Sequence, residues 1–315
     1  MPNFEEDGYN LAIGTEAVAW VFPGQGSQTV GMGKELARHY PEVAHLYAEA
    51  DATLGFSLSH LCWEGSDELL TRTDHAQPAI LVTSLAHLAV LRQNYPEVIG
   101  NYPLFVAGHS LGEYTALVSA GALSFADAVK LVHRRGQLMN EAGKGNSGMV
   151  AVIGGDDALL EQLCAKSGAE MANYNSPGQT AISGTKAALA SFTELAKSNG
   201  IKKVIPLPVS AAFHSSLMRP MAEELRKAIA QVEWVEAKIP VISNVTAKAI
   251  TEAQAIREDL ALQTYSPVRW VDSVRTMTAS GATRFVEIGP GKVLNGLIKR
   301  IEKEVELVNS DDILK

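Results

Sequence analysis

Residues 108–112 read Gly-His-Ser-Leu-Gly, a G-x-S-x-G pentapeptide centred on Ser110. A serine nucleophile needs an exposed oxygen, a proton acceptor and a dipole that favours negative charge. A strand, a sharp turn and a helix N-terminus supply the exposure and the dipole. The flanking sequence has that form. "PLFVAG" reads as a buried strand that ends at Val106, and the segment from Gly112 reads as a helix. The competing reading is a glycine turn with an incidental serine, and the strand–turn–helix context favours the nucleophile.

The chain has eight histidines that could activate Ser110. His109 is its neighbour, and adjacent side chains on a turn diverge, so a supporting role is expected. His39, His45, His60, His75, His87 and His133 lie in helical or polar contexts that suit surface or packing roles. His214 lies in "VSAAFHSSLM", between an expected strand and an expected helix. Loop histidines at such a boundary can face a cleft, which favours His214 without excluding the others. A triad would also need a carboxylate. Asp127, Asp156 and Asp157 fall between Ser110 and His214 but sit where helices start, as caps or dipole partners. The other arrangement is a dyad, in which a backbone carbonyl fixes the imidazole tautomer.

An acidic acyl group would need a cationic fork, because a guanidinium matches carboxylate geometry with two parallel bonds. Arg134 and Arg135 are adjacent on an expected helix. Helical neighbours point roughly 100° apart, so only one can face a cleft, and spacing alone does not choose.

The elements that must hold these residues alternate. "AVAWVF" ends at Pro23-Gly24 and reads as a buried strand, "MGKELARHYPEVAHLYAEADATL" as helices broken near Pro41, and Pro78–Gln93 as an apolar helix with Pro78 at its first position. Ser124 to Asp127 forms a capping box for the next helix. Such alternation implies an α/β fold with a parallel sheet covered on both faces. The middle of the chain differs. Strands at 149–154, 169–175, 179–184 and 202–207 enclose two helices in the order β-α-β-β-α-β, the ferredoxin-like pattern. "NEAGKGNSGM" reads as a linker into this unit and "PLPVSAAFHS" as the return from it. A small domain, 145–208, is therefore inserted into a large one, 17–144 and 209–305, with residues 1–16 a loose tail. "IPVISNV" and "TRFVEIG" are expected strands of the large domain, followed by a helix in "GPGKVLNGLIKRIEKEV". Gly289-Pro290-Gly291 lacks the lysine spacing of a phosphate loop and reads as a turn.

With 315 residues, 46% apolar and 20% charged, the chain can bury a large core. A net charge of −8 disfavours nucleic acid as a partner. Cys62 and Cys164 are too few for a disulfide framework, the N-terminus lacks a signal-peptide pattern, and no apolar run spans a bilayer. A cytoplasmic monomer, with no membrane contact, is the expectation.

Six blocks occur in order: "FPGQGSQTVGMG", "GHSLGEYTAL", "LVHRRGQLM", "NYNSPGQTAISG", "PVSAAFHSSLM" and "EIGPGKVL". Together they resemble the malonyl-CoA:acyl carrier protein transacylases of bacterial fatty-acid synthesis, over residues 17–303. They are also similar to polyketide synthase acyltransferase domains. The resemblance implies an α/β-hydrolase-like large domain and a ping-pong transfer of malonyl from malonyl-CoA to the phosphopantetheine thiol of acyl carrier protein. It implies Ser110 as the acylated residue, His214 as base, and Gln263 as the residue whose backbone carbonyl orients His214. It implies an oxyanion hole from the backbone N–H groups of Gln25 and Leu111, and Arg135 as the partner of the malonyl carboxylate. Phe213 resembles the residue found before the histidine in malonyl-using relatives, where its bulk would crowd an α-methyl branch. Asn175 and Gln179 resemble a cleft rim without chemistry. No metal or redox cofactor is implied. The carrier is acidic, so a local basic patch is expected, with Lys202, Lys203, Arg219, Lys299 and Arg300 as candidates. A polyketide acyltransferase acting in trans, a serine esterase or thioesterase, and a non-catalytic carrier-binding scaffold are the other readings.

Overall fold

Alternate residues of the strand β1 (Glu16–Phe22) enter two different apolar clusters: Val18, Trp20 and Phe22 one, Ala19 and Val21 the other. That is why "AVAWVF" reads as an unbroken apolar run, since a central strand of a doubly covered sheet has no wet face. The computed structural model describes residues 16–100, 102–142, 145–209 and 211–314. The expected tail therefore lies outside the described residues, apart from Glu16, which opens β1.

Parallel partners flank β1. The strand β2 (Pro103–Gly108) pairs with it on one side, Trp20 opposite Val106, and β9 (Arg284–Glu287) on the other, Trp20 opposite Val286. The whole sheet runs β10-β9-β1-β2-β7-β8, with β7 at Val241–Ile242, β8 at Ala249–Ile250 and β10 at Glu306–Asn309. Only the β7–β8 pair is antiparallel. Helices Thr73–Asn94 and Phe125–Ala142 cover one face, and helices Trp270–Ala279 and Val293–Ile301 cover the other.

A second, antiparallel sheet has the order β4-β5-β3-β6, made of Glu170–Ser176, Gln179–Thr185, Ser147–Ile153 and Lys203–Pro206. Helices Asp157–Ser167 and Lys186–Ser198 pack on one of its faces around Leu160, Ile182 and Phe192. Its other face turns toward Ser110. The second sheet is tied to the segment that leads into helix Trp270–Ala279 by paired backbone bonds: Tyr174 N–H donates to Val268 O and Val268 N–H to Ala172 O, both 2.9 Å.

Several local expectations need correction. Pro78 is not at a helix start but inside Thr73–Asn94. Its missing N–H would orphan the carbonyl of Asp74, and His133 Nδ1 donates to that carbonyl at 2.8 Å instead. The strand expected in "IPVISNV" shrinks to Val241–Ile242, because Ser243 and Asn244 turn away to make side-chain bonds. The helix Val293–Ile301 stops before "EKEV", whose continuation forms β10, so the parallel sheet extends past residue 305. Asn175 and Gln179, expected at a cleft rim, lie at the facing ends of β4 and β5, either side of a turn. The β2 strand continues to Gly108, two residues beyond Val106.

Candidate active site

Ser110 sits in a turn that only glycine can flank. The strand β2 ends at Gly108 and the helix Gly112–Ser119 begins four residues later. A Cβ on Gly108 would lie 1.9 Å from the carbonyl carbon of Gly112, and one on Gly112 would lie 2.1 Å from Phe22 O. Ser110 itself has φ +52°, a left-handed conformation costly for a side chain. Asn244 holds it there: its Oδ1 accepts from Ser110 N–H and its Nδ2 donates to Gly108 O, both at 2.7 Å.

The hydroxyl of Ser110 lies 2.8 Å from His214 Nε2, across 104 residues of chain. His214 Nδ1 donates to the backbone carbonyl of Gln263 at 2.9 Å, which leaves Nε2 free to accept a proton. His214 is buried, and its ring titrates far below the usual histidine range, at about 3. Loss of water around the ring is the larger cause, and the Arg135 charge is the next. The imidazole is therefore neutral near pH 7, the form a base requires.

Arg135 is only 1% exposed. Its Nη1 donates to Gln77 Oε1 at 2.9 Å, and its Nη2 to Gln263 Oε1 at 2.9 Å and to Ser110 Oγ at 3.1 Å. None of these acceptors carries charge, and among the described residues Nε has no hydrogen-bond acceptor. Arg134 points elsewhere on the helix, toward Gln137. Burial lowers the Arg135 pKa, yet a guanidinium stays protonated.

A cavity of about 330 Å³ opens over Ser110, lined by Arg135, Phe213, His214, Met139, Met149 and Gln25 among others. Leu111 precedes the helix Gly112–Ser119, and among the described residues no carbonyl or side chain takes up the backbone N–H of Leu111 or of Gln25. His109 Nε2 pairs instead with Asn175 Oδ1 at 2.8 Å, so it braces the second sheet rather than Ser110. Gln179 meets Arg300 at the cavity's edge. Gly289 and Gly291 form a turn whose N–H groups donate to Ser310 and Asp311. Burial pushes both cysteine thiols up to about 12. Among the described residues, no helix is long and apolar enough to cross a membrane.

Residues 19–314 match the acyl transferase domain family. The chain belongs to that family. It is 48% identical over 301 residues to the malonyl CoA-acyl carrier protein transacylase of Bacillus subtilis, covering 94% of this chain and 93% of that protein. The crystal structure of an acyl carrier protein S-malonyltransferase from Vibrio cholerae superposes with a TM-score of 0.90 at 44% identity, covering 95% of this chain and 100% of that one. A complex of a type II PKS acyl-carrier protein with its malonyl-transacylase gives 0.89 at 40% identity, covering 93% and 95%. The resemblance carried by the six blocks holds along the chain.

Sequence reasoning missed four side chains at this site. Asn244 shapes the serine turn, Gln77 holds Arg135, and Glu113 and Asp259 lie buried behind Gln263. Only Glu113 had a local signal, as the acidic residue that directly follows the pentapeptide.

Proposed function

We propose that this chain transfers malonyl from malonyl-CoA to the phosphopantetheine thiol of acyl carrier protein in fatty-acid synthesis. The observation that carries this reading is Arg135, a buried cation with no anion among its described hydrogen-bond partners, donating to the same oxygen that faces a neutral histidine. A malonyl thioester supplies both missing parts, a carboxylate for the guanidinium and a carbonyl for Ser110.

In the first half-reaction His214 Nε2 takes the Ser110 proton as Oγ attacks the thioester carbonyl. Negative charge collects on the carbonyl oxygen, and the free N–H groups of Gln25 and Leu111 are the donors in reach of the cavity. The C–S bond breaks, and His214 returns its proton to the departing CoA sulfur. In the second half, His214 takes the proton of the phosphopantetheine thiol, the sulfur attacks the malonyl-serine ester, and Ser110 recovers its proton. Each half moves one proton and one acyl group and no electrons, so the reading takes no cofactor. The Gln263 carbonyl replaces a triad carboxylate: it holds the His214 tautomer without adding charge. Phe213 packs beside the acyl site and limits room for an α-branch. A serine esterase is not favoured, because a neutral acyl group would leave Arg135 buried and unpaired.

For the architecture, we read residues 145–208 as a ferredoxin-like domain inserted into an α/β-hydrolase-like one, 17–144 with 209–305 and, beyond that expected boundary, the strand Glu306–Asn309. The β4-β5-β3-β6 order and the strand–Ser110–helix turn support this. All site groups come from one chain, which suits a monomer. Two free buried cysteines suit a cytoplasmic location. The carrier would approach the cavity mouth, where Arg300, one of the expected basic residues, bonds to the lining residue Gln179.

Incubation with malonyl-CoA should add one malonyl mass to the peptide that holds Ser110, and Ser110→Ala should remove it. A label on another residue, or turnover by the alanine variant near the wild-type rate, refutes the assignment.

A further inference from the structure

Gln263 touches each reactive residue. Its backbone carbonyl accepts from His214, its Oε1 accepts from Arg135 Nη2, and its Nε2 donates to Ser110 O at 2.9 Å. The amide can serve this way in one orientation only. Arg135 has donors and no acceptor, so Oε1 must face it and Nε2 must face away. Nε2 then carries two N–H groups in a buried place. One goes to Ser110 O, and the other goes to Glu113 Oε2 at 2.5 Å.

Glu113 is 1% exposed and stands in the first turn of the helix after Ser110. Its other oxygen accepts from Asn244 N–H at 3.3 Å. Asp259, itself buried, faces it; Ser243 donates to Asp259 Oδ1, and among the described residues Oδ2 accepts no hydrogen bond from a placed donor. Burial and the facing carboxyl both raise the Glu113 pKa well above the carboxylate range. A proton held between the two acids satisfies Oδ2 and leaves Glu113 Oε2 as a neutral acceptor.

Resting on the transacylase reading, we propose that Glu113 is a positioning residue for acyl selectivity: through Gln263 it aims the Arg135 fork over Ser110. Without its acceptor, the second Nε2 hydrogen is stranded in the interior. The amide then has reason to rotate, and rotation sets N–H against N–H at Arg135. The fork loses its aim on the malonyl carboxylate. Acetyl, which has no carboxylate, does not use the fork. The interposed amide also explains why Arg135 does not collapse onto Glu113 and close itself to substrate.

The role depends on reach and on a lone pair, not on charge. Glu113→Gln presents a carbonyl oxygen to Gln263 at the same distance and an NH₂ to Asp259, giving up only the long 3.3 Å bond from Asn244 N–H. Glu113→Asp keeps the acid and withdraws it by one methylene. Glu113→Leu removes the acceptor. The experiment measures kcat/KM for malonyl-CoA and acetyl-CoA with carrier protein, for wild type and all three variants, alongside thermal melts. Glu113→Asp and Glu113→Leu should lower the malonyl-to-acetyl ratio about tenfold or more, with Glu113→Gln within about threefold of wild type. If Glu113→Leu does not fold, the ordering of Gln above Asp decides. A ratio unchanged in the Asp variant overturns the proposal, as does a Gln variant that falls as far as Asp. Failure of the wild-type enzyme to transfer malonyl would instead sink the proposed function.

Discussion

Replacing Arg135 by alanine separates two acyl groups that differ by one carboxylate. In the free site the guanidinium has three neutral acceptors, Gln77, Gln263 and Ser110, and an unpaired Nε. A malonyl carboxylate would add two charge-assisted bonds, each about 1.5–3 kcal/mol net. Part of this is offset, because the fork must loosen its hold on Ser110 Oγ. In the variant the substrate carboxylate is buried without a partner, which costs more than the lost attraction alone. A net loss of about 3 kcal/mol follows, equivalent to about 10²-fold in kcat/KM for malonyl transfer. Acetyl transfer should hold or rise, since the alanine adds room and removes a cation from beside His214. Arg134→Ala, which leaves a side chain directed at Gln137, should not move the ratio. The assay is carrier loading from malonyl-CoA and acetyl-CoA, with the two kcat/KM values compared for each variant. Inversion of the ratio by Arg134→Ala but not Arg135→Ala would show that the wrong arginine was chosen. A ratio unmoved by either would end the carboxylate-clamp argument.

Three further outcomes are expected. His214 is held neutral to about pH 3, so the acid limb of kcat/KM should lie below pH 5 rather than near the ordinary histidine value of about 6.5. Arg135→Ala should move that limb upward by removing a facing positive charge, and an acid limb at pH 6–7 in the wild type contradicts the buried-base geometry. The same depressed pKa makes His214 destabilising in acid: the unfolded chain takes up its proton first, so stability is full above pH 6.5 and drains as pH falls toward 3. His87, lowered to about 4 by burial, adds to this with the same sign. A Tm that stays flat from pH 7 to 4 is the result that contradicts it. Gly112→Ala would drive a methyl to 2.1 Å from Phe22 O, a backbone atom with no room to move. A loss of about 2 kcal/mol or more in urea unfolding is expected, together with loss of acylation. A change under about 0.5 kcal/mol would mean the turn is not confined as described.

Local patterns determined much of this protein before any contact was known. The apolar run of Ala17–Phe22 and the short strand-like stretches of the middle segment announce strands because burial on one or two faces writes itself into neighbouring residues. The pentapeptide around Ser110 announces its turn because Gly108 and Gly112 meet across five residues. Motif order along the chain brought in His214, Arg135 and the Gln263 carbonyl, which spacing by itself had left open. Tertiary structure decided the rest. Pro78 continues a helix because a histidine 55 positions later, His133, takes its orphaned carbonyl partner. Only two residues of "IPVISNV" pair as a strand because the Asn244 side chain must reach Gly108 and Ser110 N–H, 136 and 134 residues away. Glu113, Gln77 and Asp259 look like ordinary helix residues in sequence, and their partners lie on other elements. A hydrogen bond between side chains distant in sequence leaves no periodicity, so the network that aims Arg135 becomes legible only when the helices and sheets have packed around it.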